Sequence, residues 1–301
     1  MRGCEIFRQG RPFDHTVAER LSLRGLEWIE HPARPTLHFL HGIAFCSRLY
    51  WPYLRNLTAA GYNLCMHDLE GHGESDLEGE FRGWRLAADR AASVISARRL
   101  RQRGGPLIGT GHSYGASLSL ILAAEQPDLF DALVLLDPML MPEQMLQQAR
   151  DGLHQFPLDK TLARRNHWED AGAAAAYLRS KAAFKDWSDD ALDGFIEYNL
   201  VPGEEAGLVL RCDPRTEAQV LADPLVTIWD HLREVKVPTV LIHGNDERSP
   251  IPANCRRATE LNPHIRAVET DGGHNFMQEA PEQSAKITLA VLESIGYSTA
   301  A

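Results

Sequence analysis

The sequence lacks long apolar runs, and this excludes several classes of protein. No stretch of about 18 apolar residues is present, so we expect no membrane-spanning helix. The N-terminal stretch MRGCEIFRQGRPFD has no apolar core of signal-peptide length. The five cysteines are odd in number, widely scattered and without a C-x-x-C pair, which is typical of free thiols in a reducing compartment. We therefore expect a cytoplasmic protein that does not associate with membranes.

Positive charge is also scarce. The chain has 31 Lys and Arg against 41 Asp and Glu, a formal net charge of −10, which argues against a nucleic-acid partner. No H-x-x-x-H or C-x-x-C metal motif occurs, and no G-x-G-x-x-G follows an apolar run. We expect no metal and no cofactor. The oligomeric state stays open, and a homodimer is compatible with the sequence.

Short apolar runs alternate with helical patterns along most of the 301 residues. Such runs are typical of strands buried on both faces, and the alternation predicts an α/β fold with a mostly parallel sheet and helices on both sides. The predicted strands are 36–40, 62–66, 106–110, 132–136, 238–242 and 265–269. The predicted helices are 48–60, 84–103, 114–125, 253–261 and 281–295. Before them, 16–30 is expected to hold two antiparallel strands that turn near Arg24-Gly25.

One interval, 139–232, has helical patterns but no clear strand run. We expect it to form a helical cap over the carboxyl ends of the strands, where open α/β sheets hold their ligands, with 1–138 and 233–301 as the core. Its aromatic residues predict an apolar pocket, and no pair of basic residues stands out as a clamp for a charged group. Among these aromatics, Trp168 and Trp187 are the candidates for substrate contact, and the others are Phe156, Tyr177, Phe184 and Phe195.

The stretch Gly111-His112-Ser113-Tyr114-Gly115 lies where a predicted strand ends and a predicted helix begins. A turn this tight crowds its neighbours, and the small glycines relieve that crowding. The serine hydroxyl is then exposed above the sheet, with the first N–H groups of the helix aimed at the same place. We interpret Ser113 as a nucleophile.

A serine nucleophile needs a base and donors for the oxyanion. His274 lies in a loop between the last predicted strand and the last helix, which places it at the same sheet edge. His41-Gly42-Ile43 follows another strand, and Gly42 lets the backbone approach a substrate closely. The N–H groups of Ile43 and Tyr114 are the expected oxyanion donors.

The base in turn needs a carboxylate, and three candidates are available. Asp246 and Glu247 follow the strand 238–242, whereas Asp137 ends the strand 132–136. We favour Asp246, with Asp137 and then Glu247 as alternatives.

Taken together, these motifs resemble the α/β-hydrolase fold family. HG, DLEGHGESD, GHSYG, HGND and GGHN occur in that family's order across about 35–280, and the order Ser, Asp, His also matches. The family's acid usually follows a glycine by two intervening residues and precedes a proline by four. Asp246 to Pro250 keeps the second step, but only Asn245 separates Gly244 from Asp246, so Asp137, the family's other acid position, stays open.

The resemblance implies a carboxylesterase-type serine hydrolase that cleaves small, apolar esters through an acyl-enzyme. The same residues serve thioesterases, lactonases, C–C bond hydrolases and cofactor-free perhydrolases. A receptor that retains a slow triad to bind a small molecule is an alternative of a different class.

Overall fold

An eight-stranded sheet forms the centre of the molecule in the computed structural model, which describes residues 10–152, 158–223 and 225–299. Its strands are β1 (Arg11–Ala18), β2 (Leu21–Trp28), β3 (Thr36–Leu40), β4 (Asn63–His67), β5 (Leu107–His112), β6 (Ala132–Leu136), β10 (Thr239–Gly244) and β11 (Ile265–Thr270). The spatial order is β1-β2-β4-β3-β5-β6-β10-β11. The six strands from β4 to β11 in this order run parallel, whereas β1 and β2 are antiparallel. Every residue of β3, β4, β5, β6 and β10 is buried, as expected for strands covered on both faces.

The antiparallel hairpin is present, but it does not turn where we expected. The turn lies at Glu19-Arg20, and Arg24 and Gly25 are inside β2. A Cβ atom on Gly25 would lie 2.3 Å from the Met66 carbonyl oxygen in β4. The glycine therefore permits close approach of a neighbouring strand rather than a turn.

Helices cover both faces of the sheet. The first layer contains α2 (Trp84–Ala97), α3 (Tyr114–Glu125), α9 (Ile228–Glu234) and α10 (Ile251–Leu261), whose apolar residues share one core cluster. The second contains α1 (Trp51–Ala59), α11 (Phe276–Glu279) and α12 (Pro281–Ser294), which contribute to the other cluster. Helix α3 is buried along nearly its whole length, and this fixes its N-terminus above the sheet.

The interval between β6 and β10 is mainly helical. It contains α4 (Glu143–Arg150), α5 (Asp159–Leu162), α6 (Ala171–Arg179), α7 (Asp189–Asn199), α8 (Pro214–Ala222) and α9. A small sheet of order β7-β9-β8 was not predicted, because β7 (His167–Trp168), β8 (Leu200–Pro202) and β9 (Leu208–Leu210) are too short to show a pattern. Helix α9 packs on α3 in the main core. We call residues 158–222 the cap segment; Phe156 lies outside the described residues.

Four cysteines, Cys46, Cys65, Cys212 and Cys255, are free and buried, and Cys4 lies outside the described residues. No described helix is both long and apolar enough to cross a membrane.

Candidate active site

Ser113 occupies a strained turn between β5 and α3. Its backbone has φ 53° and ψ −114°, a conformation that a non-glycine residue adopts only where the surroundings impose it. A Cβ atom on Gly111 or Gly115 would lie 2.6 or 2.3 Å from the Leu40 carbonyl oxygen at the end of β3. Both glycines are therefore required by close packing, and the turn holds the serine hydroxyl at the strand ends.

His274 and Ser113 meet at this edge of the sheet. His274 follows β11, and its Nε2 atom lies 3.0 Å from the Ser113 Oγ atom. The other ring nitrogen, Nδ1, lies 2.5 Å from the Asp137 Oδ2 atom. A carboxylate accepts from Nδ1–H, which leaves Nε2 free to accept the serine proton.

Asp137, rather than Asp246, is the carboxylate at His274. Asp137 directly follows β6, is 2% exposed and has a positive φ of 41°. Its second oxygen accepts a hydrogen bond from the Gly244 N–H at 3.0 Å. Strand β6 lies next to β5 in the sheet, so the short turn after β6 brings the carboxylate beneath the imidazole.

The expectation that Asp246 orients His274 was wrong. Its carboxylate accepts hydrogen bonds from Arg248, through the backbone N–H at 3.1 Å, Nε at 2.8 Å and Nη2 at 2.9 Å. These contacts hold its pKa below the usual range. Asp246 lies in the loop after β10, and its partly exposed side chain points to Arg248 rather than to His274. Glu247 is exposed in the same loop.

The two expected oxyanion donors come from two separate parts of the chain. Ile43 lines the cavity above Ser113, and Tyr114 is the first residue of α3. Neither N–H group has a hydrogen-bond acceptor among the residues that the structure describes. Gly42 also lines the cavity, but its N–H donates to the Tyr50 hydroxyl at 3.0 Å.

His112 links several parts of the site through hydrogen bonds. Its Nε2 atom lies 2.8 Å from the His274 carbonyl oxygen, which can only accept, so Nε2 carries the proton. Burial holds the pKa of His112 well below 6.5, and the ring is neutral. Nδ1 therefore accepts from the Tyr50 hydroxyl at 2.6 Å. A continuous chain runs from the Gly42 N–H through Tyr50 and His112 to the backbone of His274.

Four other histidines are buried within or next to strands β3 and β4: His38, His41, His67 and His72. The rings of His38 and His67 are 5.3 Å apart, as are those of His41 and His72. Burial lowers the pKa of His38 to about 3 and that of His41 to about 4. Within the described ranges, no group of three or more His, Cys, Asp or Glu side chains could hold a metal ion.

A cavity of about 690 Å³ lies over Ser113 and His274. Core loops and the cap segment both line it, and Trp168 is among the lining residues. Trp187 is not, because it packs behind the cavity against Phe45, with ring centroids 5.7 Å apart. Of the two tryptophans we expected to contact substrate, only Trp168 is therefore placed to do so. The other apolar lining residues include Ile43, Ala44, Phe45, Ala163, Leu178, Phe184, Phe195 and Leu210.

The cavity is not purely apolar, contrary to the expectation from the sequence. Among the residues that the structure describes, four Lys and Arg side chains line it: Lys160, Arg164, Arg165 and Lys181. They belong to separate parts of the cap segment, and only the fold brings them together. Adjacent Arg164 and Arg165 were the one sequence signal of this cluster.

Comparison with known proteins supports the same architecture. The model of the alpha/beta hydrolase family matches residues 39–287. The chain belongs to this family. In this α/β hydrolase, the match includes Ser113, Asp137, His274 and the cap segment.

Two relatives of this α/β hydrolase are named for different kinds of substrate. A 2-(acetamidomethylene)succinate hydrolase of Mesorhizobium japonicum is 26% identical over 283 residues, covering 93% of this chain and 95% of that protein. Lipase LipV of Mycobacterium tuberculosis is 29% identical over 261 residues, covering 82% and 89%.

Solved structures share the fold. A crystal structure of E-2-(acetamidomethylene)succinate hydrolase has a TM-score of 0.73 at 23% identity, covering 94% of this chain and 99% of that one. A thioesterase domain from the curacin biosynthetic pathway has a TM-score of 0.72 at 21% identity, covering 93% and 99%.

Proposed function

We propose that this α/β hydrolase is a serine hydrolase that cleaves carboxylic esters through an acyl-enzyme intermediate. The observation that carries the proposal is the hydrogen-bonded series Ser113 Oγ, His274 imidazole and Asp137 carboxylate at 3.0 and 2.5 Å. In this mechanism Ser113 Oγ attacks the ester carbonyl carbon while its proton passes to His274 Nε2. Asp137 accepts from Nδ1–H and stabilises the imidazolium that forms.

The negative charge of the tetrahedral intermediate would be taken up by the Ile43 and Tyr114 N–H groups. Both are free of acceptors in the described structure, and Tyr114 is the first residue of α3, where the helix dipole also favours an anion. His274 then returns its proton to the alcohol that leaves. Water, deprotonated by the same imidazole, hydrolyses the acyl-enzyme and restores Ser113.

The cavity favours a small substrate with an apolar part. Its volume suits a molecule of ordinary metabolite size, and Trp168, Phe184 and Phe195 supply aromatic surface near the serine. The same three catalytic groups would serve a thioester, lactone or amide. The names of the relatives include a lipase and a hydrolase of a succinate derivative, so the acyl group has to be identified by experiment.

The test uses Ser113→Ala, with Ser119→Ala as the matched control. Ser119 is a buried serine of α3, the helix that follows Ser113, and its hydroxyl donates to the Gly115 carbonyl oxygen at 3.1 Å. With p-nitrophenyl esters, Ser113→Ala should lose turnover, and Ser119→Ala should retain it. A fluorophosphonate should label Ser113, as located by mass spectrometry.

Retained turnover in Ser113→Ala, or an adduct at another residue, would refute the proposal. Labelling of Ser113 without steady turnover on esters, thioesters, lactones or amides would favour the receptor alternative.

A further inference from the structure

We propose that the substrate carries an anionic group, a carboxylate or phosphate, which Lys160, Arg165 and Lys181 bind at the cap side of the cavity. The inference rests on the proposed function, since it names the substrate class of the same site. The inference is based on the excess of positive charge among the side chains that line the cavity. Four basic side chains line it, and Glu217 is the single carboxylate among the described lining residues.

Glu217 neutralises only one of the four basic side chains, Arg164. It is 5% exposed, and both of its oxygens lie 2.7 Å from Arg164 nitrogens. Burial is the main cause that raises the pKa of Glu217, and Arg164 partly offsets this effect. Arg164 and Glu217 therefore form an internal pair. Within the described structure, Lys160, Arg165 and Lys181 have no carboxylate within 4.0 Å.

Two of these three cations converge on one aromatic ring. The Arg165 guanidinium carbon lies 4.8 Å from the centre of the Tyr177 ring, and Lys181 Nζ lies 4.3 Å from it. Arg165 also donates through Nε to the His167 carbonyl oxygen at 2.8 Å. Each of the two cations therefore has a cation–π contact, and Arg165 also has a backbone acceptor, but neither has a carboxylate partner in the described structure. An anionic group of the substrate would supply the counter-ion that both side chains lack.

The position of the cluster fits a group remote from the bond that is cleaved. Lys160, Arg165 and Lys181 are exposed side chains of the cap segment, whereas Ser113 belongs to the core, is 2% exposed and lines the same cavity. The apolar surface of Trp168 and Phe184 also lines the cavity. A substrate with its ester at Ser113 and an anion at the far end of an apolar chain would match both the apolar surface and the basic side chains. Because the whole chain has a formal net charge of −10, a local positive patch would also steer anions to the opening of the cavity.

The first experiment compares esters that differ only in charge. The mono-4-nitrophenyl ester of adipic acid has a terminal carboxylate, and its methyl ester removes that charge at similar length. A second pair, 4-carboxyphenyl hexanoate and 4-carbamoylphenyl hexanoate, places the anion on the alcohol side with a neutral partner of the same shape, and 4-phosphonophenyl hexanoate replaces the carboxylate by a phosphate-like group. In at least one pair the anionic ester should have the higher kcat/KM, by about tenfold at low salt, and the preference should shrink at about 0.5 M salt. Equal turnover of both members of every pair would overturn the inference while leaving the serine mechanism in place.

The second experiment removes the cations. Arg165→Gln combined with Lys181→Gln should raise KM for the preferred anionic ester about tenfold and leave the neutral ester within about twofold. Lys185→Gln is the matched control, because Lys185 lies in the same cap segment, pairs with Asp186 at 3.5 Å and does not line the cavity. An equal loss for both esters, or an equal effect of Lys185→Gln, would contradict a specific anion site.

A binding measurement separates this inference from the proposed function. In Ser113→Ala, calorimetry should detect adipate or phenyl phosphate binding that 1,6-hexanediol does not show and that the double variant loses. Binding of this kind would support the anion site even if no ester were turned over. Its absence for both anions, together with no charge preference, would refute the site.

Discussion

The Asp137 Oδ2 atom lies 2.5 Å from the His274 Nδ1 atom, so a carboxylate at the end of β6 orients the imidazole that follows β11. Replacing Asp137 by Asn would offer an amide N–H to Nδ1 and favour the tautomer that protonates Nε2. That nitrogen could no longer accept the serine proton. We expect Asp137→Asn to lower kcat roughly 10⁴-fold, the scale of a wrong-tautomer serine triad, as measured on p-nitrophenyl esters.

Asp246→Asn is the control for this prediction. Asp246 contacts Arg248 and is directed to solvent, so its amide variant should retain kcat within about twofold, since exposed ion pairs contribute little. A large loss in Asp246→Asn together with a small one in Asp137→Asn would show that the loops rearrange when substrate binds.

Tyr50 is expected to position the site without touching the reacting atoms. Tyr50→Phe leaves two buried groups, the Gly42 N–H and His112 Nδ1, without their partner. The loss should cost about 1–3 kcal/mol of unfolding free energy. Because His112 holds the His274 backbone, kcat should also fall by roughly tenfold in the folded enzyme. Urea unfolding and initial rates measure the two effects.

Tyr53→Phe separates positioning from stability. Tyr53 is equally buried, and its hydroxyl bonds to Thr288 Oγ1 at 2.9 Å, away from the cavity. The variant should lose stability to a similar degree and keep kcat. If both variants lowered kcat alike, Tyr50 would have no specific role in the site.

The buried histidines should make stability depend on pH. In the folded state the pKa of His38 is lowered to about 3 and that of His41 to about 4, whereas the unfolded chain binds these protons near 6.5. As pH falls below 6.5, the unfolded state binds protons at these histidines that the folded state does not bind, so the free energy of unfolding decreases. Each such histidine contributes a slope of up to about 1.4 kcal/mol per pH unit, until pH falls to its folded-state pKa. Urea unfolding between pH 7 and 4.5 measures the summed slope.

His38→Leu tests the origin of this slope. Neither ring nitrogen of His38 has a partner in the described structure, and the ring stacks near Phe130 at 6.2 Å, so an apolar side chain suits the site. The variant should have a shallower pH slope than the parent. His31→Leu, which removes an exposed histidine, should leave the contribution of His38 in place. An unchanged slope in His38→Leu would contradict the prediction.

Local sequence patterns were sufficient for the main features of the fold. The buried strands appear as continuous apolar runs because both of their faces are covered, and the run at 107–112 leads directly into the tight turn at Ser113. His274 could be placed near Ser113 because parallel strands end at one edge of the sheet. Their contact at 3.0 Å agrees with that placement.

The acid and the charge of the cavity could not be derived in the same way. The backbone path after β10 decides which way the Asp246 side chain points, and a local sequence pattern does not determine that path. Arg165 and Lys181 both contact the Tyr177 ring, and no local sequence pattern indicates this shared contact. In the sequence, Trp168 and Trp187 are equivalent candidates for substrate contact. Only the packing of the folded chain shows that Trp168 lines the cavity, whereas Trp187 packs against Phe45.

The connectivity of the cap segment has a consequence for how such enzymes diversify. Ser113, Asp137 and His274 are held by β5, β6 and β11, whereas the basic side chains described around the cavity all belong to one continuous insertion between β6 and β10. Exchange of that single stretch of chain, joined at two points, would replace the whole charge lining and leave the hydrogen-bonded series intact. In this molecule the charged lining and the hydrogen-bonded series therefore lie on separate stretches of sequence, so we expect a chimaera with another cap segment to change its charge preference while Ser113, Asp137 and His274 stay in place.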